Sequence, residues 1–264
     1  MRYQIDHDYH IHTRLSICSD DDRQTPDTIL QIAKHKGLGK ICITDHFWDE
    51  RIEGASDWYK PQNYEHISKA LPLPTEEGIA FDFGCETELD RFMTLGISAE
   101  TMDKLAFIIV PTSHLHMKGF TIGEDVTSVA ARAKLYMERN HALLDMNLPF
   151  EKMGLAHFTC SLMARNCEGS HKEILNAISD SSYAEFFERV AVKEMGVELN
   201  VGLSEASSEE ILRPYRIARS CGCKFYLGSD AHSPKELNYS RARFEAITEA
   251  LELTEDDKFS FAIS

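Results

Sequence analysis

The chain has 264 residues, of which 43% are hydrophobic and 27% charged, proportions that fit a folded globular protein and exclude a disordered or fibrous one. Twenty-eight Lys and Arg against 43 Asp and Glu give a formal charge of −15, which works against binding to nucleic acid or to an anionic membrane surface. No run approaches the roughly 18 apolar residues of a membrane span. The start, "MRYQIDHDYHIHT", has no apolar targeting segment, so a cytoplasmic protein is expected.

The first predicted strand, residues 3–9, runs into His10 and His12. Alternation along an extended chain puts these imidazoles on one face, about 6 to 7 Å apart, where both could converge on one metal ion. In "TPDTILQIAKHKGLG", Thr25 suits an N-cap, Pro26 the first helical position and Gly37 the C-terminal stop. The second strand, 40–44, leads to Asp45 and His46. Residues 47–79, with Trp48, Trp58, Pro61, Pro72 and Pro74, read as a longer, partly irregular excursion. The third strand, 80–84, leads to Glu86 and Glu88, and the fourth, 105–110, to His114 and His116.

Val126, Val129, Ala133, Met137 and Leu144 keep a helical period and predict one long amphipathic helix over 125–146. The fifth strand, 153–156, ends at His157. Ile174, Ile178, Phe187, Val190 and Met195 continue a helical period up to the sixth strand, 196–199, which ends at Asn200. "SSEEILRPYRIARSCG" reads as a helix in which Pro214 belongs to the first turn or marks a kink. The seventh strand, 223–227, leads to Asp230 and His232, and a last helix is expected over 239–253.

Strands alternating with helices predict an α/β fold with a mainly parallel sheet, and seven units suffice to close or nearly close a TIM-like barrel; a doubly wound open sheet is the alternative. No linker or internal repeat divides the chain, so residues 1–264 are expected to form one domain. There is no GxGxxG and no Walker-type loop. The seven cysteines, an odd number without a CxxC pair, read as reduced thiols.

In parallel α/β barrels the chemistry gathers where strands end. Of the twelve histidines, seven follow predicted strands, whereas His7, His35, His66, His141 and His171 lack that placement and are read as structural or surface residues. So many imidazoles and carboxylates exceed the donors that one tetrahedral ion uses, which implies two or three divalent ions. Glu86, with two oxygens, is the natural bridge between ions about 3.5 to 4 Å apart. The donor types suit Zn, Mn or Fe, and the chemistry such a cluster favours is hydrolysis.

"DYHIHT", "ITDH", "GCETE", "SH", "AH" and "GSDAH", in this order along nearly the whole chain, resemble the PHP (polymerase and histidinol phosphatase) family. The resemblance implies a distorted (β/α)7 barrel with a trinuclear metal site that hydrolyses phosphate esters. It implies His10, His12, Glu86 and Asp230 on the first ion, with Glu86, His114 and His157 on the second. His46 and His232, with one residue of the first loop, would hold the third. The family places a His or Asp in that loop where this sequence has Ile17 and Cys18; Cys18 as thiolate, or Asp20 two positions on, is expected to take the role.

Asp45 and Glu88 are expected to orient imidazoles, and Asn200 to hydrogen-bond to the site. Among Arg14, Lys118 and Arg165, Arg165 is the expected phosphate clamp. Asp230 or His232, if not fully committed to metal, is the expected proton donor to the leaving oxygen. The function implied is hydrolysis of a small phosphomonoester such as histidinol phosphate. The alternatives are a nucleotide phosphodiesterase or exonuclease, which the net charge disfavours, and a metal-binding module without turnover.

Overall fold

The computed structural model describes residues 1–261. Nine short strands occur among them: β1 (His7–Ile11), β2 (Lys40–Ile43), β3 (His46–Phe47), β4 (Ala80–Phe83), β5 (Cys85–Thr87), β6 (Ile108–Val110), β7 (Met153–Leu155), β8 (Gly196–Leu199) and β9 (Phe225–Leu227). Every strand pair is parallel, in two sheets of order β1-β2-β4 and β3-β5-β6-β7-β8-β9. The seven predicted strands become nine because the second and third each break and resume. The second breaks at Thr44 and Asp45, the third at Gly84.

At Gly84 the strand changes neighbours. Its N–H still bonds Ile43 O on the β2 side (2.8 Å), while Cys85 N bonds Phe107 O beside β6 (3.1 Å). A Cβ on residue 84 would collide with that Phe107 carbonyl, so only glycine lets the backbones approach. The two sheets are thus joined through continuous chain, and the strands form a distorted barrel.

The seam between β1 and β9 is irregular. Asp230 N bonds His10 O (2.8 Å) and His12 N bonds Ala231 O (3.1 Å). Further down, side chains replace backbone acceptors: Leu227 N donates to His7 Nε2 (3.0 Å) and Ser229 N to Asp8 Oδ1 (2.9 Å). The first strand lies at 7–11 and not at 3–9 because its ladder with β2 starts at the pair of His7 with Lys40 and ends at that of Ile11 with Ile43. All five of its residues are buried, so the alternation expected of a half-exposed strand gives no guide to its bounds.

Helices cover the outside: α1 (Pro26–Lys36), α2 (Tyr64–Ile67), α3 (Ala99–Met102), α4 (Val129–Asp145), α5 (His171–Asn176), α6 (Asp180–Val192), α7 (Glu209–Ser220) and α8 (Pro234–Ala250). Helix α1 is capped as its sequence predicts, with Thr25 accepting from Thr28 N and Gly37 in the left-handed conformation at φ 69°. The long helix begins at Val129, after the Ser128 N-cap, leaving Val126 outside. The helical period before β8 is carried by two helices, because Ser179 starts a second one with its own cap. Pro214 sits sixth in α7, beyond the first turn, and the helix continues past it. The last helix starts at Pro234, five residues before the expected position, capped by Ser233.

The main core packs helices against strand faces. A separate cluster includes Tyr9, Cys42, Phe107, Ile109, Tyr226 and Phe259. Ile109 pairs in register with Glu86, and Tyr226 with Glu198, so this cluster shares the barrel's inward face with those carboxylates and forms the floor beneath them. Among the described residues no helix is long and apolar enough to cross a membrane.

Candidate metal centre

The strand ends deliver three overlapping groups of potential donors: His10, His12, Glu86 and Asp230; Glu86, His114 and His157; and His12, His46 and His232. Within each group the donor atoms lie within 4.8 Å of one another. In the first group, His10 Nε2 is 3.0 Å from His12 Nε2 and 3.3 Å from Asp230 Oδ1, and His12 Nε2 is 3.0 Å from Asp230 Oδ1. Glu86 Oε2 is 3.6 and 3.3 Å from the two imidazoles. Four donors at about 2.0 to 2.1 Å from one tetrahedral ion are separated by about 3.3 Å, so these spacings fit a common ion.

Glu86 is the hub. Its Oε1 faces His157 Nε2 at 3.2 Å, and its Oε2 also faces His46 Nδ1 at 2.9 Å. Yet Glu86 Oε2 and His46 Nδ1 are both buried without a hydrogen bond, because their approach is misaligned. Two lone-pair atoms that converge without bonding to each other suit a cation between them.

The outer nitrogens show how the rings are aimed. Nδ1 of His10 meets Glu198 Oε1 (2.6 Å), Nδ1 of His12 meets Ser16 Oγ (2.9 Å), and Nδ1 of His114 meets Glu88 Oε2 (2.9 Å). Nδ1 of His157 meets Ser113 Oγ (3.0 Å), and Nδ1 of His232 meets the Asp230 carbonyl (2.8 Å). In each case Nε2 remains for the site, the arrangement that fixes tautomer and orientation in metal-binding histidines. His46 is the exception, presenting Nδ1 and packing edge-on against Trp58 at 4.9 Å.

Glu88 orients His114 as its place in "GCETE" suggests, and Arg139, fully buried on α4, holds its other oxygen at 3.1 Å. Asp45 acts at one remove: it accepts from Ser16 Oγ (2.7 Å), which in turn meets His12. Asn200 makes no hydrogen bond to these residues. Two positions earlier Glu198, fully buried, bonds both His10 and the backbone N–H of His157. The signal for it was a lone acid in the otherwise apolar strand "GVEL", since a charge almost never sits in a buried strand without a partner. His157 and Asp230 both adopt left-handed backbone, at φ 26° and 53°, a conformation costly for residues with a Cβ and concentrated at functional sites.

Charge is balanced inside the cluster. Burial opposes protonation of His10 and His12, but Glu198, Asp230 and Glu86 raise His10 well above the ordinary range, and Asp230 and Glu86 raise His12 to about 9. Burial opposes ionisation of Glu86 and Asp230, yet the surrounding imidazoles hold both carboxylates well below theirs. Burial and His12 push His232 down to about 4.

A cavity of about 540 Å³ opens over the groups. Cys18 lines it but joins none of the three groups, and Asp20 is exposed and outside both cavity and groups. His116 also lines the cavity without joining a group; its Nδ1 is buried and unpartnered. Of the three cations considered, Lys118 lines the cavity, whereas Arg165 and Arg14 are exposed and lie outside its lining.

The PHP domain family model matches residues 8–202. No curated protein matches the chain in sequence. Among solved structures, a histidinol phosphate phosphatase from Lactococcus lactis subsp. lactis Il1403, complexed with Zn, L-histidinol and phosphate, aligns with a TM-score of 0.57 and 16% identity over 93% of each chain. A putative histidinol phosphatase from Listeria monocytogenes aligns with a TM-score of 0.59 and 11% identity, over 90% of this chain and 99% of that one. These two share its fold. With the family model matching most of its length, from β1 to just past β8, the chain belongs to the PHP family.

Proposed function

We propose that this metal-dependent phosphoesterase hydrolyses a small phosphomonoester in the cavity above the donor groups. The observation that carries the reading is the first group's donor spacing, fit for a shared ion, at the floor of a cavity large enough for a small organic phosphate. His10, His12, Glu86 and Asp230 would hold one ion, and His114 and His157 a second with Glu86 between them. His46 and His232 would hold a third, with Cys18 the first-loop residue that borders the same space. Such ions, Zn, Mn or Fe by donor type, would supply an activated water and neutralise phosphate oxygens.

Hydrolysis forms one bond from water oxygen to phosphorus and breaks the ester P–O bond; water gives up a proton and the leaving alkoxide takes one. Asp230 and His232 line the cavity, and whichever of them is not fully committed to an ion would pass that proton. Lys118, at the rim, is the side-chain cation available to phosphate there, and the exposed Arg165 is the second to examine.

Protein loaded with Mn or Zn should release phosphate from a panel of monoesters, with histidinol phosphate the first to try and nucleotide diesters as comparison. His10→Ala and Glu86→Ala should each lose both turnover and bound metal while the far-ultraviolet circular dichroism is kept. Full activity in either variant, or diesters turned over in preference to every monoester, would sink the proposal.

A further inference from the structure

The wall of the cavity differs in kind from its floor. Above the imidazoles and carboxylates stand Trp58, Tyr59, Met117, Phe120 and Leu162, with Lys118 beside them. Trp58 is half-buried and edge-on to both His46 (4.9 Å) and Tyr59 (4.8 Å), while Phe120 packs against Tyr59 at 5.4 Å. These residues come from the irregular excursion after β3, the loop after β6 and, for Leu162, the segment after β7, so they belong to neither the barrel strands nor the donor set.

The lining contains two carboxylates, Glu86 and Asp230, and both are already surrounded by imidazoles. An ammonium group brought into this space would find cation–π attraction at Trp58 and Tyr59 but no free acid, and that attraction is smaller than the cost of burying an unpaired charge. A second anionic group would have Lys118, the one Lys or Arg among the described lining residues, which already lies 3.4 Å from Glu124, and beyond it the exposed Arg165, which the phosphate itself would compete for. A neutral ring, by contrast, gains from burial against Trp58 and from ring-edge contact.

We infer that the organic part of the ester is a neutral, ring-bearing group held against Trp58 and the Met117–Phe120 loop. This rests on the phosphomonoesterase reading and narrows it, setting an aryl-alkyl phosphate apart from an amino-alcohol phosphate such as histidinol phosphate. Trp58 is then the specificity-determining residue of the site.

The test compares 2-phenylethyl phosphate, histidinol phosphate and glycerol 3-phosphate on the Mn- or Zn-loaded protein. All are primary alkyl esters, and the β-ammonium and β-hydroxyl groups make the latter two alcohols the better leaving groups, so leaving-group ability does not favour the phenylethyl ester. The expected result is a kcat/KM for the phenylethyl ester at least about tenfold above the other two, the scale of discrimination an apolar pocket can give. Trp58→Ala should lower that preference about tenfold, chiefly through KM, and Trp58→Phe should restore most of it. A second readout, independent of turnover, is quenching of tryptophan fluorescence by 2-phenylethylphosphonate, expected in the unaltered protein and weakened in Trp58→Ala. Equal or better turnover of histidinol phosphate or glycerol 3-phosphate overturns the inference and leaves the phosphomonoesterase reading standing. No phosphate from any of the three esters overturns both.

Discussion

Glu198 touches two proposed ligands at once, taking a hydrogen bond from the His10 ring with one oxygen and one from the His157 amide with the other. A glutamine can reproduce one of these contacts, but its amide nitrogen would then oppose a donor at the second. Removing a carboxylate behind a metal-bound imidazole typically costs 10- to 100-fold in metal affinity. Glu198→Ala should therefore weaken metal binding by about that factor, with Glu198→Gln intermediate. Gly228→Ala should resemble Glu198→Ala, because a Cβ there would fall inside the Glu198 carboxylate and against His10. Metal titrations giving the unaltered affinity for all three variants would remove Glu198 from this positioning role. The histidines and Glu86 were readable because each falls at or within a few residues of a predicted strand's end, whereas Ser16, Ser113 and Arg139 act through contacts made only after folding. Arg139 lies 51 residues from Glu88 along the chain.

Among the elements, the excursion after β3 shows where sequence patterns stop being informative. It has short helical turns and little period, yet Trp48 and Tyr59 are fully buried. What fixes its start is polar. Asp49 bonds the Arg51 guanidinium at 3.0 Å, Ser98 Oγ at 2.6 Å and Thr101 Oγ1 at 2.7 Å, tying the aromatic wall to the start of α3. Burial opposes its ionisation, but Arg51, Ser98 and Thr101 hold the Asp49 carboxyl below the ordinary range. A depressed carboxylate contributes stability that is present above the unfolded value of about 4 and lost as pH falls through the lower folded value. Urea unfolding should thus show Asp49→Asn less stable than the unaltered protein at pH 7, with the gap closing below about pH 4. A gap independent of pH would mean that Asp49 acts by packing alone. The barrel elements were legible for the opposite reason, since caps such as Thr25 and Gly37 and apolar strand runs are local signals. The breaks at Asp45 and Gly84 were not, because they depend on which neighbour the strand meets.

For the molecule as a whole, the donor groups join β1, β3, β5 and the segments after β6, β7 and β9, so bound ions would cross-link most of the barrel. Ligands that bind only the folded state stabilise it by mass action, about 2.7 kcal/mol at one hundred times Kd. At this chain length that is on the order of 5 to 10 °C in Tm. Chelation should lower the Tm by that amount in the unaltered protein and leave His10→Ala, Glu86→Ala double variants unmoved; identical Tm values with and without chelator would argue that the cluster holds no ion. The seam between β1 and β9 has a further consequence, one of timing. It joins residues about 220 positions apart, as in the Leu227 to His7 bond. On the ribosome, His10 and His12 emerge about 220 residues before Asp230 and His232, and contacts so distant along the chain form late. Until β9 arrives, β1 stands as an open sheet edge, the kind that invites pairing with other chains. Completion of the donor set and the end of that exposure are one event in the life of the nascent protein.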